Sequence, residues 1–285
     1  MSRKLIINAD DFGISKATNK AIKELLLSKK ITSVSLLSVA DEAEEALAIA
    51  KELGISVGAH LTLNSDFSFN PWKAMISGTT LCDSAGFLLT DTKLLAQIAK
   101  GKDVTKECVA QIEYILNFGV KIDHIDNHSG TMYGINMRLF FINAFKLARK
   151  YNLPFRFPKG NGFLNDYFKE VVPSIVKVAH KAIVLTGRVM RVKLLDEMIT
   201  NPYRICDIPD YNVLEYYYLN AIRNIKEGVS ELFLHPSYYC PEISPYDEEW
   251  KKREYELEFL NSPALEKTLA DEGIELISYA DLVAR

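Results

Sequence analysis

Asp10 and Asp11 stand side by side in Asn8-Ala9-Asp10-Asp11-Phe12-Gly13, directly after the apolar run Leu5-Ile6-Ile7. Adjacent carboxylates repel unless a cation or a shared proton relieves them. Asp is also common in turns and at helix starts, but Ser15 already caps the helical pattern that follows. Histidine is scarce, five in all, and His60, His128 and His235 each fall at or just after the carboxyl end of a predicted strand. One imidazole in such a place is more often structural; three on separate strands beside an Asp pair point to chemistry. Imidazole with carboxylate is a standard ligand set for a divalent cation, and three protein ligands leave positions open for water. In His124-Ile125-Asp126-Asn127-His128, alternate residues share one strand face. His128 is outermost and the ligand candidate. Asp126 is placed to orient an imidazole through its second nitrogen. His124 lies deeper, as a support for these or as a hydrogen-bonded core residue. His180, in the middle of a helical stretch, reads as structural.

Those residues need strands that end on one side. Residues 4–9, 32–39 and 55–63 read as strands, separated by helices over 15–29 and 41–53, the second closed by Gly54. Strand–helix alternation of this kind predicts a parallel sheet with right-handed crossovers, whose carboxyl ends form the ligand face. Further helices are predicted over 92–100, 104–118, 136–151, 213–226, 247–260 and 264–271, and strands over 121–127, 153–157, 230–234 and 274–278. Residues 163–211 are the least legible, with two helical pieces and a loop over 200–209. Among Tyr216, Tyr217 and Tyr218, at least one ring is expected in the core. The polar stretch 64–90 is a long loop carrying Phe67, Phe69 and Trp72. Long loops of this kind are usually functional. Trp72 is a candidate platform for a sugar face, although packing a loop onto the body is the commoner use of such a ring. Arg156, at the end of the 153–157 strand, is a candidate for binding an oxyanion or a substrate hydroxyl, with a surface ion pair as the plain alternative.

The 285 residues suffice for one large α/β barrel or two small domains, and no repeat or linker divides them, so 1–285 is read as one domain. Net charge is −3 with no basic block, which argues against nucleic acid and anionic membranes as partners. No apolar run of about eighteen residues suggests a membrane span. Cys82, Cys108, Cys206 and Cys240 are scattered without a C-x-x-C pair, so neither a thiolate zinc site nor a disulfide framework is expected, and the expected location is the cytoplasm.

Asn8-Ala9-Asp10-Asp11-Phe12-Gly13, Gly58-Ala59-His60, His124-Ile125-Asp126-Asn127-His128 and Leu234-His235-Pro236 together resemble the YdjC-like carbohydrate deacetylases, in the same order, over residues 4 to about 239. The resemblance implies a single irregular (β/α) barrel, TIM-barrel-like, and divalent-metal-dependent removal of N-acetyl groups from amino sugars. It places the metal ligands on Asp11, His60 and His128, the general base on Asp10 and a later catalytic histidine on His235. Nitrogen ligands lean toward zinc; the family reading includes magnesium. An acetylated sugar is the expected partner, with a homodimer as the candidate assembly. One departure is visible: known members follow the third motif with more histidines, whereas this chain continues Ser129-Gly130-Thr131-Met132-Tyr133, which changes the pocket wall beside His128. A sugar isomerase of barrel type would need more carboxylate ligands and usually a lysine. A two-metal phosphoesterase would need more ligands than are present. A sugar-binding homologue without chemistry would have lost Asp10 or a ligand.

Overall fold

The computed structural model describes residues 2–134, 138–168 and 171–283. Leu5, Ile6 and Ile7 have no exposed surface and form the middle of the first strand, β1 (Arg3–Phe12). It runs longer than its apolar core predicts, so Asp10 and Asp11 lie on its last residues rather than in a following loop. Ser15 caps α1 (Lys16–Leu27) by accepting a hydrogen bond from the Thr18 amide. The chain continues as β2 (Ser33–Leu36), α2 (Ala43–Leu53), closed by Gly54 in the left-handed conformation at φ 66°, and β3 (Val57–Leu61). After the 64–90 loop come α3 (Thr92–Ile98), α4 (Gly101–Phe118) and β4 (Ile122–Asn127).

The second half holds α5 (Phe141–Tyr151), α6 (Gly162–Phe168), α7 (Ser174–Val189), β5 (Glu197–Ile199), α8 (Tyr211–Arg223) and β6 (Gly228–Leu234). It closes with α9 (Trp250–Leu260), α10 (Pro263–Asp271), β7 (Glu275–Leu276) and α11 (Tyr279–Val283). The start of the helix predicted over 136–151 lies outside the described residues at 136 and 137, as do 169 and 170 of the illegible region. Of Tyr216, Tyr217 and Tyr218 on α8, Tyr218 is buried and Tyr216 is exposed.

Every strand pairing is parallel, in the order β4-β3-β2-β1-β6-β5, with β7 on the start of β1. The predicted strand over 153–157 is reduced to an isolated bridge from Ile125 to Phe155, and a second bridge joins Pro158 to Leu195 just ahead of β5. The result is a curled parallel α/β sheet of seven strands whose two edges are connected by single bridges, rather than eight regular barrel repeats. Backbone hydrogen bonds from residues 154–160 reach Ile125 on one side and Lys193, Leu195 and Asp196 on the other, so this irregular segment joins the two sheet edges without forming a regular strand. One apolar cluster runs from Leu5 to Ile274 beneath the sheet and its helices. No described helix is long and apolar enough to cross a membrane.

Two glycines are set by the site they support. Gly13 has φ 106°, and a Cβ there would come within 3.1 Å of the Ala43 backbone. Gly58 on β3 lies against the His124 ring, so an added Cβ would meet ring atoms at 2.2 Å. That ring cannot retreat: it stacks on Tyr279 with centroids 3.8 Å apart and bonds Asp123 at 2.6 Å and the Ser35 hydroxyl at 3.1 Å. Gly58→Ala is therefore expected to destabilise the chain by about 1–3 kcal/mol, the usual range for overpacking a core. Chemical denaturation would read this directly; an unchanged midpoint would mean the ring has room.

Candidate active site

Asp11 occupies an unusual backbone position. Its φ is 64°, left-handed for a non-glycine residue, where the β1–β2 register shifts between Ala9 and Phe12. The turn aims a fully buried carboxylate at His60, the fourth residue of β3, and at His128, in the helical turn His128–Gly130 that follows β4. Asp11 Oδ1 lies 3.5 Å from His60 Nε2 and 3.3 Å from His128 Nδ1. It makes no hydrogen bond. Its other oxygen, Oδ2, accepts from Arg253 Nη2 at 2.6 Å. The three donor atoms lie within 4.8 Å of one another. An orphaned buried carboxylate oxygen facing two imidazole nitrogens fits a divalent cation by donor chemistry and by burial.

The two imidazoles offer different nitrogens. His60 Nδ1 bonds Asp126 Oδ1 at 2.9 Å, which turns Nε2 toward Asp11. His128 Nε2 bonds Asp66 Oδ1 at 2.7 Å, which turns Nδ1 inward. Each carboxylate sets the orientation of its ring and makes the free nitrogen a better ligand. Asp126 thus takes the supporting place expected from the sequence. Asp66 was invisible there because it lies in the irregular 64–90 loop, where an acid carries no distinguishing signal.

Asp10 points to the same cavity but is held by another group. Arg156 grips it at both oxygens, Nη1 to Oδ2 at 2.7 Å and Nη2 to Oδ1 at 2.8 Å, and the Asn8 amide donates to Oδ1 at 2.6 Å. Asp10 Oδ2 faces His235 Nε2 at 3.9 Å and His60 Nε2 at 4.0 Å. His235 follows β6 directly, keeps about a third of its side chain exposed, and has Nδ1 3.8 Å from Glu256.

Arg156 is not a surface ion pair. It is 2% exposed, and besides Asp10 it bonds Glu231 Oε1 at 2.9 Å and approaches Asp126 Oδ2 to 2.8 Å. It lines the cavity, yet its N–H groups are directed at carboxylates and at Ser35. A role in directly gripping substrate, expected from its strand-end position, would require breaking those bonds. Glu231 carried a readable signal, an acid inside the buried strand Ser-Glu-Leu-Phe-Leu. His124 reaches Asp126 Oδ2 only at 3.8 Å and is the hydrogen-bonded core residue of the two options foreseen. His180 is structural, with Nε2 bonded to the Pro158 carbonyl at 3.0 Å.

The cavity measures about 430 Å³, and its lining includes Asp10, Asp11, His60, His128 and His235 together with Tyr133, Phe163, Tyr167 and Asn201. Trp72, expected to face the sugar, does not line it. Its ring is buried behind His128, edge-on at 5.5 Å, and forms part of a neighbouring cavity with Phe67 and Phe69. The tryptophan anchors the long loop, whose Trp72 amide bonds Ser65, so burial took the ring that composition alone offered to substrate.

Burial raises carboxylate and lowers imidazole pKa values, but here the neighbouring charges win. The Arg253 guanidinium and the two imidazoles hold Asp11 well below the usual carboxylate range despite burial. Against the same desolvation, Asp126 and Asp11 push His60 up to about 10, and Asp66 and Asp11 push His128 up to about 9. These protons stabilise the cation-free fold fully below about pH 6.5 and are lost as pH rises through 9 to 10. A cation needs both nitrogens deprotonated. The melting temperature of the chelator-treated chain is therefore expected to fall between pH 7 and pH 10. The increment on adding a divalent cation should be larger at pH 8.5 than at pH 6. Equal increments at the two pH values would show that these imidazoles do not exchange protons for a cation.

The YdjC-like protein family matches residues 4–271. A carbohydrate deacetylase of Listeria monocytogenes is 30% identical over 289 residues, covering 98% of this chain and all of the relative. One from Thermoanaerobacter pseudethanolicus is 27% identical and covers 98% of each chain. A solved structure from Enterococcus faecalis, whose description proposes cellobiose-phosphate cleavage, superposes with a TM-score of 0.78 at 26% identity over 99% of both chains. A match along nearly the whole length, together with the buried Asp–His–His cluster, establishes that this chain belongs to the YdjC-like protein family.

Proposed function

We propose that the chain is a single-domain, divalent-metal-dependent deacetylase that hydrolyses the N-acetyl group of an amino sugar or its oligomers. The observation carrying this reading is the orphaned Oδ1 of Asp11 between His60 and His128, with a second carboxylate, Asp10, near His60 but held at both oxygens by Arg156. The relatives described as carbohydrate deacetylases support the substrate class. Asp11, His60 and His128 would hold the cation, zinc or magnesium, which when bound acidifies a water and polarises the acetamide carbonyl.

The rest of the chemistry belongs to the chain. Asp10, fixed at both oxygens by Arg156, takes a proton from the attacking water as its oxygen bonds to the carbonyl carbon. The C–N bond then breaks, the acetyl group leaves as acetate, and His235 supplies the proton that makes the sugar nitrogen a competent leaving amine. Glu256, beside His235 Nδ1 and accepting from its backbone amide at 2.7 Å, keeps the imidazole turned toward Asp10. Tyr133, Phe163 and Tyr167, which line the same cavity, offer aromatic surface for the sugar.

The direct test is metal analysis of the purified chain combined with amine release from N-acetylglucosamine oligomers. One cation per chain and released amine are expected; bound metal with no deacetylation of any acetylated sugar would favour a sugar-binding homologue. Asp10→Asn should keep its cation and lose about 10²–10⁴-fold in turnover, the range for a lost general base. A metal-free Asp10→Asn protein would reverse the roles given to the two carboxylates. His128→Ala should purify without stoichiometric metal, because three protein ligands leave little redundancy; full occupancy would move the third ligand elsewhere.

A further inference from the structure

Arg253 projects from α9, a helix that begins Trp250-Lys251-Lys252-Arg253 and shows no sequence sign of belonging to the site. Its guanidinium packs over the Trp250 ring at 4.9 Å and lines the active-site cavity. The two ends of that guanidinium are in different situations. Nη2 donates to Asp11 Oδ2 at 2.6 Å, while Nη1 is buried and has no hydrogen-bond partner. A buried N–H without an acceptor is costly in a finished fold, so an unfilled one on a residue that lines the cavity points to a ligand oxygen.

Building on the metal-dependent reading above, we propose that Arg253 is a positioning residue with two functions. By occupying Oδ2, it commits Asp11 to the cation through Oδ1 alone, which keeps a coordination position free for water or substrate. Through Nη1 it presents a donor to an oxygen of the acyl group, and hence to the carboxylate of the acetate product. The geometry separates the two functions because they use different nitrogens of one planar fork. The positive charge also sits where a carboxylate product must lie close to Asp11, and so offsets a repulsion that would otherwise expel acetate at once. The other carboxylates near the Arg253 charge have partners of their own: Asp66 bonds His128, Glu256 accepts from Tyr218 and from the His235 amide, and Asp247 accepts from the Glu249 amide, which leaves Nη1 free for a ligand.

The test uses the full chain loaded with cobalt(II), whose visible bands report coordination number, and inorganic acetate as the probe. Wild type is expected to bind one cobalt and to change its spectrum as acetate is added. Arg253→Met should still bind cobalt, with altered band intensity as Asp11 becomes free to use both oxygens. Its acetate dissociation constant should rise about tenfold or more, as expected for loss of one charge-assisted hydrogen bond. Arg253→Lys should keep the wild-type band pattern, because an ammonium can still hold Oδ2, yet lose most of the acetate response. A residue that only braces the fold would move melting temperature and leave both signals unchanged. If the wild-type cobalt spectrum ignores acetate, or if the Lys and Met variants match wild type in both readouts, the inference is overturned while the metal site stands. If wild type takes up no cobalt, the metal reading itself fails, and this one with it. A wild-type cobalt spectrum that ignores acetate overturns the second function even where a variant does not fold.

Discussion

A single buried guanidinium holds the floor of this site together. Arg156 lies among Asp10, Asp126 and Glu231, three carboxylates contributed by β1, β4 and β6. Without it, three negative charges would face one another in a region of low dielectric, and at least two would have to take up protons. Burial of such a group is expensive and is tolerable only where hydrogen bonds satisfy it nearly completely. Here they do, which is why Arg156 stands well above even its ordinary range while Asp126 stays ionised. Strand ends far apart in sequence are thereby tied to one charge, and the cation cluster is assembled on top of them.

Charge is layered outward from that floor. Asp126 belongs to both layers, taking Arg156 through one oxygen and His60 through the other. Asp11 belongs to the upper layer alone and has its own counter-ion in Arg253. The adjacent carboxylates of the first motif are therefore not equivalent: one is paired with an arginine through both oxygens, the other keeps an oxygen open. That asymmetry, more than their adjacency, suits them to separate tasks. It arises from the backbone, since the register shift at Ala9–Phe12 sends neighbouring side chains into different surroundings.

The sequence made the strand-end histidines legible because apolar runs of β-branched residues locate strands, and a polar residue terminating such a run stands out. The helices with capping signals, Ser15 and Gly54 among them, fell within a few residues of where the structure has them. What was not legible has physical reasons. β5 has three residues and no run to detect, and the 153–157 segment bonds its two neighbours without a regular ladder. Arg253 sits among lysines and glutamates that mostly face water, so composition hides it. Asp66 depends on how a long loop folds back, which no local pattern encodes. Trp72 takes the commoner of the two uses weighed for it, packing the long loop onto the body.

The left-handed backbone at Asp11 also narrows what can ever replace it. Glycine, asparagine and aspartate are the residues that adopt such a conformation readily, and of these aspartate alone brings an anionic oxygen. Glutamate has the charge, but its extra methylene displaces the carboxylate and it lacks the backbone tolerance; asparagine has the backbone but not the charge. Drift through chemically similar residues is therefore closed at this position. Adaptation toward a different metal or substrate would have to proceed through the walls of the cavity, leaving this residue where it is.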